Sequence, residues 1–297
     1  MMKYTVLYNQ SAGKADSEKR AQQFKVLAQA TQHKVVLVGT TSREQAIKYI
    51  QENIDNIKTL VVVGGDGSIN TVFSALISMK ASPVIGILPG GTVNNFARAM
   101  NIPLDNEKAT KVILNGKGIT TDLLHSDQRA IASSLTLGTV AEMAKGVRQE
   151  EKQRWGSLTY LVNGIKKLVT TKPASIQIKA GEQIHQFNTR FLLITTTSSI
   201  GGFTKFNPEV GVDDHQIHIT ILKRFSPWRI MGYFSYFITG QIRKLNDASY
   251  LKLEQANISS LDDKKVAVRI DGDEAGELPV NLYVKKQFIK IIVPESD

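Results

Sequence analysis

Cysteine is missing from all 297 residues, so neither a disulfide framework nor a thiolate zinc site can form. That absence suits a reducing cytoplasm. No run of 18 apolar residues occurs, which argues against a membrane-spanning helix. Met1-Met2-Lys3-Tyr4 leads into a strand pattern rather than a signal peptide. The expected protein is soluble and cytoplasmic, or peripheral at the inner face of a membrane. Acidic residues are outnumbered, 27 against 37 Lys and Arg, for a net charge of +10. A surface of that sign attracts an anionic partner: nucleic acid, a phospholipid surface or a phosphorylated substrate. No helix-turn-helix, zinc knuckle or aromatic RNA-binding signature supports nucleic acid.

What is present is a chain that can bury ordinary cores, with 42% hydrophobic and 22% charged residues. Its length favours two domains. From Lys3 to about Leu124 strands and helices alternate: TVLY, a helix over Ala15 to Ala30, KVVLV, a helix over Ser42 to Asn53, TLVVV, a helix over Ile69 to Met79, and VIGIL. Such alternation implies a doubly wound parallel sheet. After Gln128 the period is mostly two, as in SIQIKAG, RFLLITTT, QIHITIL, YLKLEQ and KVAVRIDG. That reads as an antiparallel β domain. Helices are expected there over Val140 to Gln149, Leu158 to Val169 and Pro227 to Lys244. The expected division is an α/β domain over 1–127 and a β domain over 128–284, with the tail at about 285–297 free to pack back on the first.

Two strand-to-helix turns carry the chemistry. LVVVGGDGS starts at Leu60 and IGILPGGTVNN at Ile85. Each runs a buried parallel strand into glycines, the arrangement that offers backbone N–H groups to phosphate. Asp66 adds a carboxylate to the first, a metal ligand beside a phosphate cradle. Ser68 is placed to cap the following helix, whose Ile69, Val72, Phe73 and Leu76 give it a core face. Gly64, Gly65 and Gly67 have the wrong spacing for a dinucleotide fingerprint, and Tyr8 stands where a P-loop ending at Gly13-Lys14 needs its first glycine. Near the other end, Asp271 and Asp273 bracket Gly272 at a strand end, which puts both side chains on one side of the strand.

The ordered set Asn9-Gln10-Ser11-Ala12-Gly13, GGDGS, LPGGTVNNFAR, RWGSLTYLVNGIKKL, GGF at 201–203 and IDGD at 270–273 resembles the catalytic domain of diacylglycerol and sphingosine kinases, in particular the bacterial soluble lipid kinases. The resemblance implies an N-terminal domain like that of 6-phosphofructokinase and NAD kinase, a C-terminal β-sandwich, and an active site in the cleft between them. It implies that ATP is held by Asn9, Thr41 and the two turns, through Gly64, Gly65, Asp66, Gly67, Ser68, Gly91, Thr92 and Asn95. Magnesium falls to Asp66, Asn95 and Asp273, and the general base to Asp271. The implied reaction is ATP- and magnesium-dependent phosphorylation of a lipid hydroxyl, with diacylglycerol giving phosphatidic acid.

Departures from the pattern are specific. Gln10 stands for a proline, Thr71 for a glutamate, Asn95 for an aspartate and Asp273 for a glutamate. Losing the carboxylate at Asn95 removes a negative charge from the magnesium network. In VDDHQIH, starting at Val212, His215 and His218 replace a glycine and a later aspartate where relatives hold a structural magnesium. That leaves Asp213 and Asp214 as weaker metal candidates. The two histidines, three apart on a strand, face opposite sides and cannot share one ion.

The aromatic and basic stretch from Lys223 to Lys244, with Phe225 and Trp228, has the composition of a helix at a membrane surface, or of one packed on the β domain. The partner expected is thus a lipid substrate at an anionic membrane surface, with a homodimer as an option. The rival is a nucleotide- and membrane-binding member of the fold with weak or no kinase activity, motivated by Thr71, Asn95 and His218. An NAD kinase fits the RWGSLTY and DGD segments less well.

Overall fold

The computed structural model describes residues 1–10, 16–80, 82–127, 129–137, 173–201, 206–207, 209–223, 232–233, 235–236, 239–241, 244–262 and 265–295. The helices expected over 140–149 and 158–169, the RWGSLTY segment, Ser11 to Gly13, Phe225 and Trp228 lie outside those residues. The chain divides into two compact units, Met1–Ala132 with Lys285–Asp297, and Ser133–Val284.

The first unit is wound around parallel strands β1 (Lys3–Asn9), β2 (Lys34–Thr40), β3 (Thr59–Gly64) and β4 (Val84–Pro89), in the order β2-β1-β3-β4. Every residue of β3 is buried, whereas the edge strand β2 is only half covered. Burial on both faces explains why β3 reads as an unbroken apolar run. Helices α1 (Asp16–Ala30), α2 (Arg43–Asn53) and α3 (Asp66–Leu76) make the crossovers. α1 buries Ala21, Phe24 and Ala28, one stripe at helical spacing. α2 is capped by Ser42, whose hydroxyl accepts from the Gln45 amide.

A short helix α4 (Asn95–Ala99), then α5 (Asn106–Asn115) and strands β5 (Lys117–His125) and β6 (Ala130–Ile131) complete the sequential part. The last strand of the chain, β16 (Val280–Val293), lies parallel to β4, with Lys290 opposite Val84 and Ile291 opposite Ile85. Gly116 lets it pass: a Cβ there would stand 2.4 Å from the Val293 carbonyl oxygen.

The second unit is an antiparallel β-sandwich. One sheet joins β9 (Gln183–Thr189), β8 (Ala174–Ala180), β13 (Gln255–Ser260) and the start of β16. The other runs β12 (Ala248–Leu253), β11 (Ile217–Leu222), β10 (Phe191–Thr195), β7 (Ser134–Leu137), β14 (Ala267–Ile270), β15 (Asp273–Glu277). Alternate residues such as Leu135, Ile194, Ile219 and Ile270 are buried on one face of this sheet, and Ile176, Ile178, Ile258 and Leu282 are buried in the first sheet. On the opposite face of the larger sheet, Leu193 and Leu222 pack with Phe206, Tyr233 and Leu245, and Tyr236 lies against this cluster. The described aromatics of the 223–244 stretch are therefore packing residues.

Candidate active site

Strand order β2-β1-β3 makes the gap between β1 and β3 a topological switch point, the place where ligands sit at the carboxyl ends of parallel strands. A cavity of about 100 Å³ opens there, lined by Asn9, Thr40, Ser42, Arg43, Gly67 and Ser68 among others. Thr41 is outside the lining. Its amide and hydroxyl both donate to Gln45 Oε1, which fastens the start of α2.

The two glycine turns lie back to back. A Cβ on Gly65 would stand 2.9 Å from the Gly91 Cα, and one on Gly91 would stand 2.6 Å from the Gly65 Cα. Only glycine allows that approach, because the obstructing atoms are backbone and cannot swing away. The Gly90 amide donates to the Gly64 carbonyl at 2.9 Å and welds the turns together. A Cβ on Gly67 would meet nothing within 4 Å, and Gly91 and Thr92 are exposed, so this face is open to a ligand.

Asp66 is the hinge of the arrangement. Its Oδ2 accepts from the Asn95 amide at 3.0 Å and its Oδ1 from the Phe96 amide at 2.9 Å. The carboxylate of the first turn therefore caps the helix that follows the second turn, where negative charge is favoured. Asn94 holds the left-handed conformation, φ 54°, and its amide bridges the Gly91 N–H and C=O.

The helix after the first turn begins earlier than its apolar spacing suggested. α3 starts at Asp66 with Gly65 at the N-cap, and the Ser68 amide already donates to the Gly65 carbonyl. Ser68 therefore lies in the first turn and is not the cap, and a Cβ on Gly64 would stand 2.2 Å from its hydroxyl oxygen.

Two arginines escaped the sequence reading. Arg43 donates to the Thr71 hydroxyl at 3.1 Å and to Ser74 Oγ at 2.7 Å, and it lines the cavity. It thus binds the position where the family pattern has a glutamate. Arg20 donates to the Pro89 carbonyl at 3.0 Å, beside the second turn. Their sequence separations of 28 and 69 residues leave no local signal.

In the second unit Asp271 and Asp273 do not share a strand. Ile270 pairs with Asp273, so Asp271-Gly272 is a two-residue hairpin turn with φ 51° and 92°. Asp-Gly is a preferred sequence for that turn because both positions need positive φ. Asp271 Oδ1 accepts from the Ser133 amide at 2.7 Å, the Ser133 hydroxyl at 2.8 Å and the Ser134 amide at 2.9 Å. Arg269 braces the turn through the Gly272 carbonyl at 2.7 Å and Glu274 at 3.2 Å. Asp273 is exposed at the start of β15.

Asp213 is exposed, and Asp214 Oδ2 lies 2.6 Å from the imidazole Nε2 of buried His218. Among the described residues, no group of three or more His, Asp or Glu stands ready to hold a metal ion.

Family models match both units, one described as the diacylglycerol kinase catalytic domain over residues 3–126 and one as the YegS C-terminal NAD kinase beta sandwich-like domain over residues 133–293. The chain belongs to the diacylglycerol kinase family. It is 25% identical over 301 residues to a Bacillus subtilis (strain 168) diacylglycerol kinase, covering 100% of this chain and 98% of that one. The diacylglycerol kinase of Staphylococcus carnosus (strain TM300) is 27% identical over 242 residues, 82% of this chain and 78% of that one. Among solved structures, a Bacillus anthracis (strain Sterne) diacylglycerol kinase superposes with a TM-score of 0.76 at 18% identity, over 99% of this chain and 97% of that one. At that identity the likeness speaks for the fold alone. Family membership makes the chain a lipid kinase.

Proposed function

We propose that the protein transfers the γ-phosphoryl group of ATP to the free hydroxyl of diacylglycerol, giving phosphatidic acid, with magnesium as the metal. The observation that carries this reading is the contact of Gly65 with Gly91, which sets two open turns side by side, the first of them lining the β1–β3 cavity through Gly67 and Ser68. Backbone N–H groups of such turns suit phosphate oxygens, and Arg20 and Arg43 supply cationic surroundings.

Asp66 and the side-chain oxygen of Asn95 are the proposed magnesium ligands of the first unit. An ion carried in on a nucleotide needs only one or two protein carboxylates besides phosphate oxygens. When bound, the metal offsets negative charge on the phosphates. Asp273 is the proposed second carboxylate.

Asp271 is the proposed base. Three donors on Oδ1 hold its carboxylate in one orientation, and the acceptor hydroxyl gives its proton to this carboxylate. The hydroxyl oxygen bonds to the γ-phosphorus, the bond to the bridging oxygen breaks, and ADP leaves. Positioning of this kind is most of what phosphoryl transfer asks of a protein.

Thin-layer chromatography after incubation with γ-labelled ATP and a panel of diacylglycerol, sphingosine, phosphatidylglycerol and undecaprenol tests the reading. A single labelled spot of phosphatidic acid is expected. Label on another lipid would overturn the choice of acceptor. No labelled lipid, with ATP still bound, would favour the non-catalytic rival.

A further inference from the structure

The turn before β11 and the strand itself hold a closed polar cluster in the second unit. The side chain of His218 is 0% exposed and that of Asp214 28%. Asp214 Oδ2 meets His218 Nε2 at 2.6 Å and also accepts from the Gly211 amide at 3.1 Å, while Oδ1 accepts from the Gln216 amide at 3.1 Å. On its far side His218 Nδ1 is hydrogen-bonded to the Tyr250 hydroxyl, and that hydroxyl accepts from Asn207 Nδ2 at 3.2 Å.

The donors run in one direction. An ionised Asp214 can only accept, so Nε2 carries a proton; in the neutral imidazole Nδ1 then accepts the phenolic proton, and the phenol oxygen accepts from Asn207. A magnesium ion needs six oxygens in near-octahedral array and keeps its waters. Here Asp214 Oδ2 already takes two donors, the Gly211 amide and the His218 ring, the ring itself presents nitrogen where an oxygen ligand is needed, and Asp213 faces solvent. The structural magnesium that the resemblance implies for this segment does not fit these residues.

We infer that His218 closes the 211–218 loop onto Tyr250 in place of a divalent cation, so that the sandwich of this chain needs no structural metal. The imidazole does the cation's mechanical work. It ties the loop carboxylate to β11, and through Tyr250 to β12, which pairs with β11 along Ile217–Leu222. It adds no second metal, so any magnesium requirement of the protein belongs to the nucleotide site. The histidine at 218 and the tyrosine at 250 act together: the ring without the phenol would leave Nδ1 buried and unpaired.

The test is the melting temperature of the full chain without nucleotide, in excess chelator and in excess magnesium. Ligands that bind the folded state raise it. Wild type should melt at the same temperature in both. His218→Asp should melt lower than wild type in chelator and recover in magnesium, because the new carboxylate restores an oxygen pair with Asp214. Tyr250→Phe should lose stability equally in both, which keeps the inference testable if the aspartate variant does not fold. In nitrogen-detected spectra of wild type, His218 should carry its proton on Nε2 and keep it when magnesium is added. A magnesium-induced rise for wild type that Asp214→Asn removes would overturn the inference, as would a His218→Asp variant that folds and ignores magnesium. A rise that survives Asp214→Asn arises elsewhere and leaves the loop metal-free, as inferred.

Discussion

At the scale of single residues, the three glycines of the first turn differ in what they would suffer. Gly65 faces the Gly91 backbone at a distance no Cβ tolerates, while Gly67 faces open space. Gly65→Ala must push the turns apart, and the expected result is both a lower melting temperature and a nucleotide affinity reduced by about tenfold or more, since misplaced donors no longer converge on one phosphate. Gly67→Ala should leave the melting temperature unchanged or slightly higher, because alanine suits a helix start better, while its methyl group intrudes on the ligand face and weakens binding. Calorimetry and thermal melts read the two effects separately. Equal behaviour of the two variants would contradict the back-to-back arrangement.

Asp66 makes two contributions that one substitution removes together. Asp66→Ala should abolish transfer and also cost about 1 kcal/mol through the lost α4 cap. Asn95→Asp should lower the magnesium concentration needed for half-maximal rate, since it returns a charge to the network. An unchanged or higher requirement would place Asn95 outside it.

Among elements, α3 deserves the most weight because its N-terminus delivers the first turn. Its other end is held by Lys285, whose ammonium donates to the Ile77 and Met79 carbonyls and lies 3.6 Å from the Phe288 ring centroid. A cation is favoured at a helix C-terminus. Lys285→Met should cost about 1–2 kcal/mol, from a charged hydrogen bond and a cation–π contact, read as a lower melting temperature.

Burial pushes the Lys285 ammonium below the usual lysine range. The folded chain then gives up this proton before the unfolded chain does, so stability rises with pH between the lowered folded value and the ordinary lysine value. In alkali, wild type should therefore gain stability relative to Lys285→Met. A difference that stays flat or shrinks across that window would contradict the burial of a charged Lys285.

The elements that were legible are those with strong periodic signals. β1 to β4, α1 and α2 stand where alternation and apolar spacing put them, α3 begins three residues before its expected start at Ile69, and the period-two strands form the sandwich. α4 was invisible because five residues are too few for a helical stripe, and its cap comes from Asp66, 29 residues upstream of Asn95. The Asp271 anchor was hidden for the same reason: Ser133 and Ser134 reach it across 138 and 137 residues. The hairpin itself was within reach, since Asp-Gly directly after the alternating run from Val266 to Ile270 is a strong turn signal.

For the molecule as a whole, the net charge of +10 leads to the proposal that the lipid is met at an anionic surface. Binding to vesicles should then rise with the fraction of anionic lipid and fall with salt, because a screened field contributes about 1 kcal/mol per surface cation. Co-sedimentation that ignores lipid charge would contradict this. Tyr233 and Tyr236 pack on the sandwich and are not candidates for the docking face.

The proposed phosphoryl transfer depends on Asp271 as its base. Its most direct measurement is the rate at which label passes from γ-labelled ATP to diacylglycerol in mixed micelles, for wild type and Asp271→Asn, with ATP affinity measured for both. Asparagine tolerates the left-handed turn but cannot take the proton. Nearly unchanged ATP affinity and a turnover lower by about 10²–10⁴-fold are expected. A variant that keeps more than half the wild-type turnover would contradict the role of Asp271 as base.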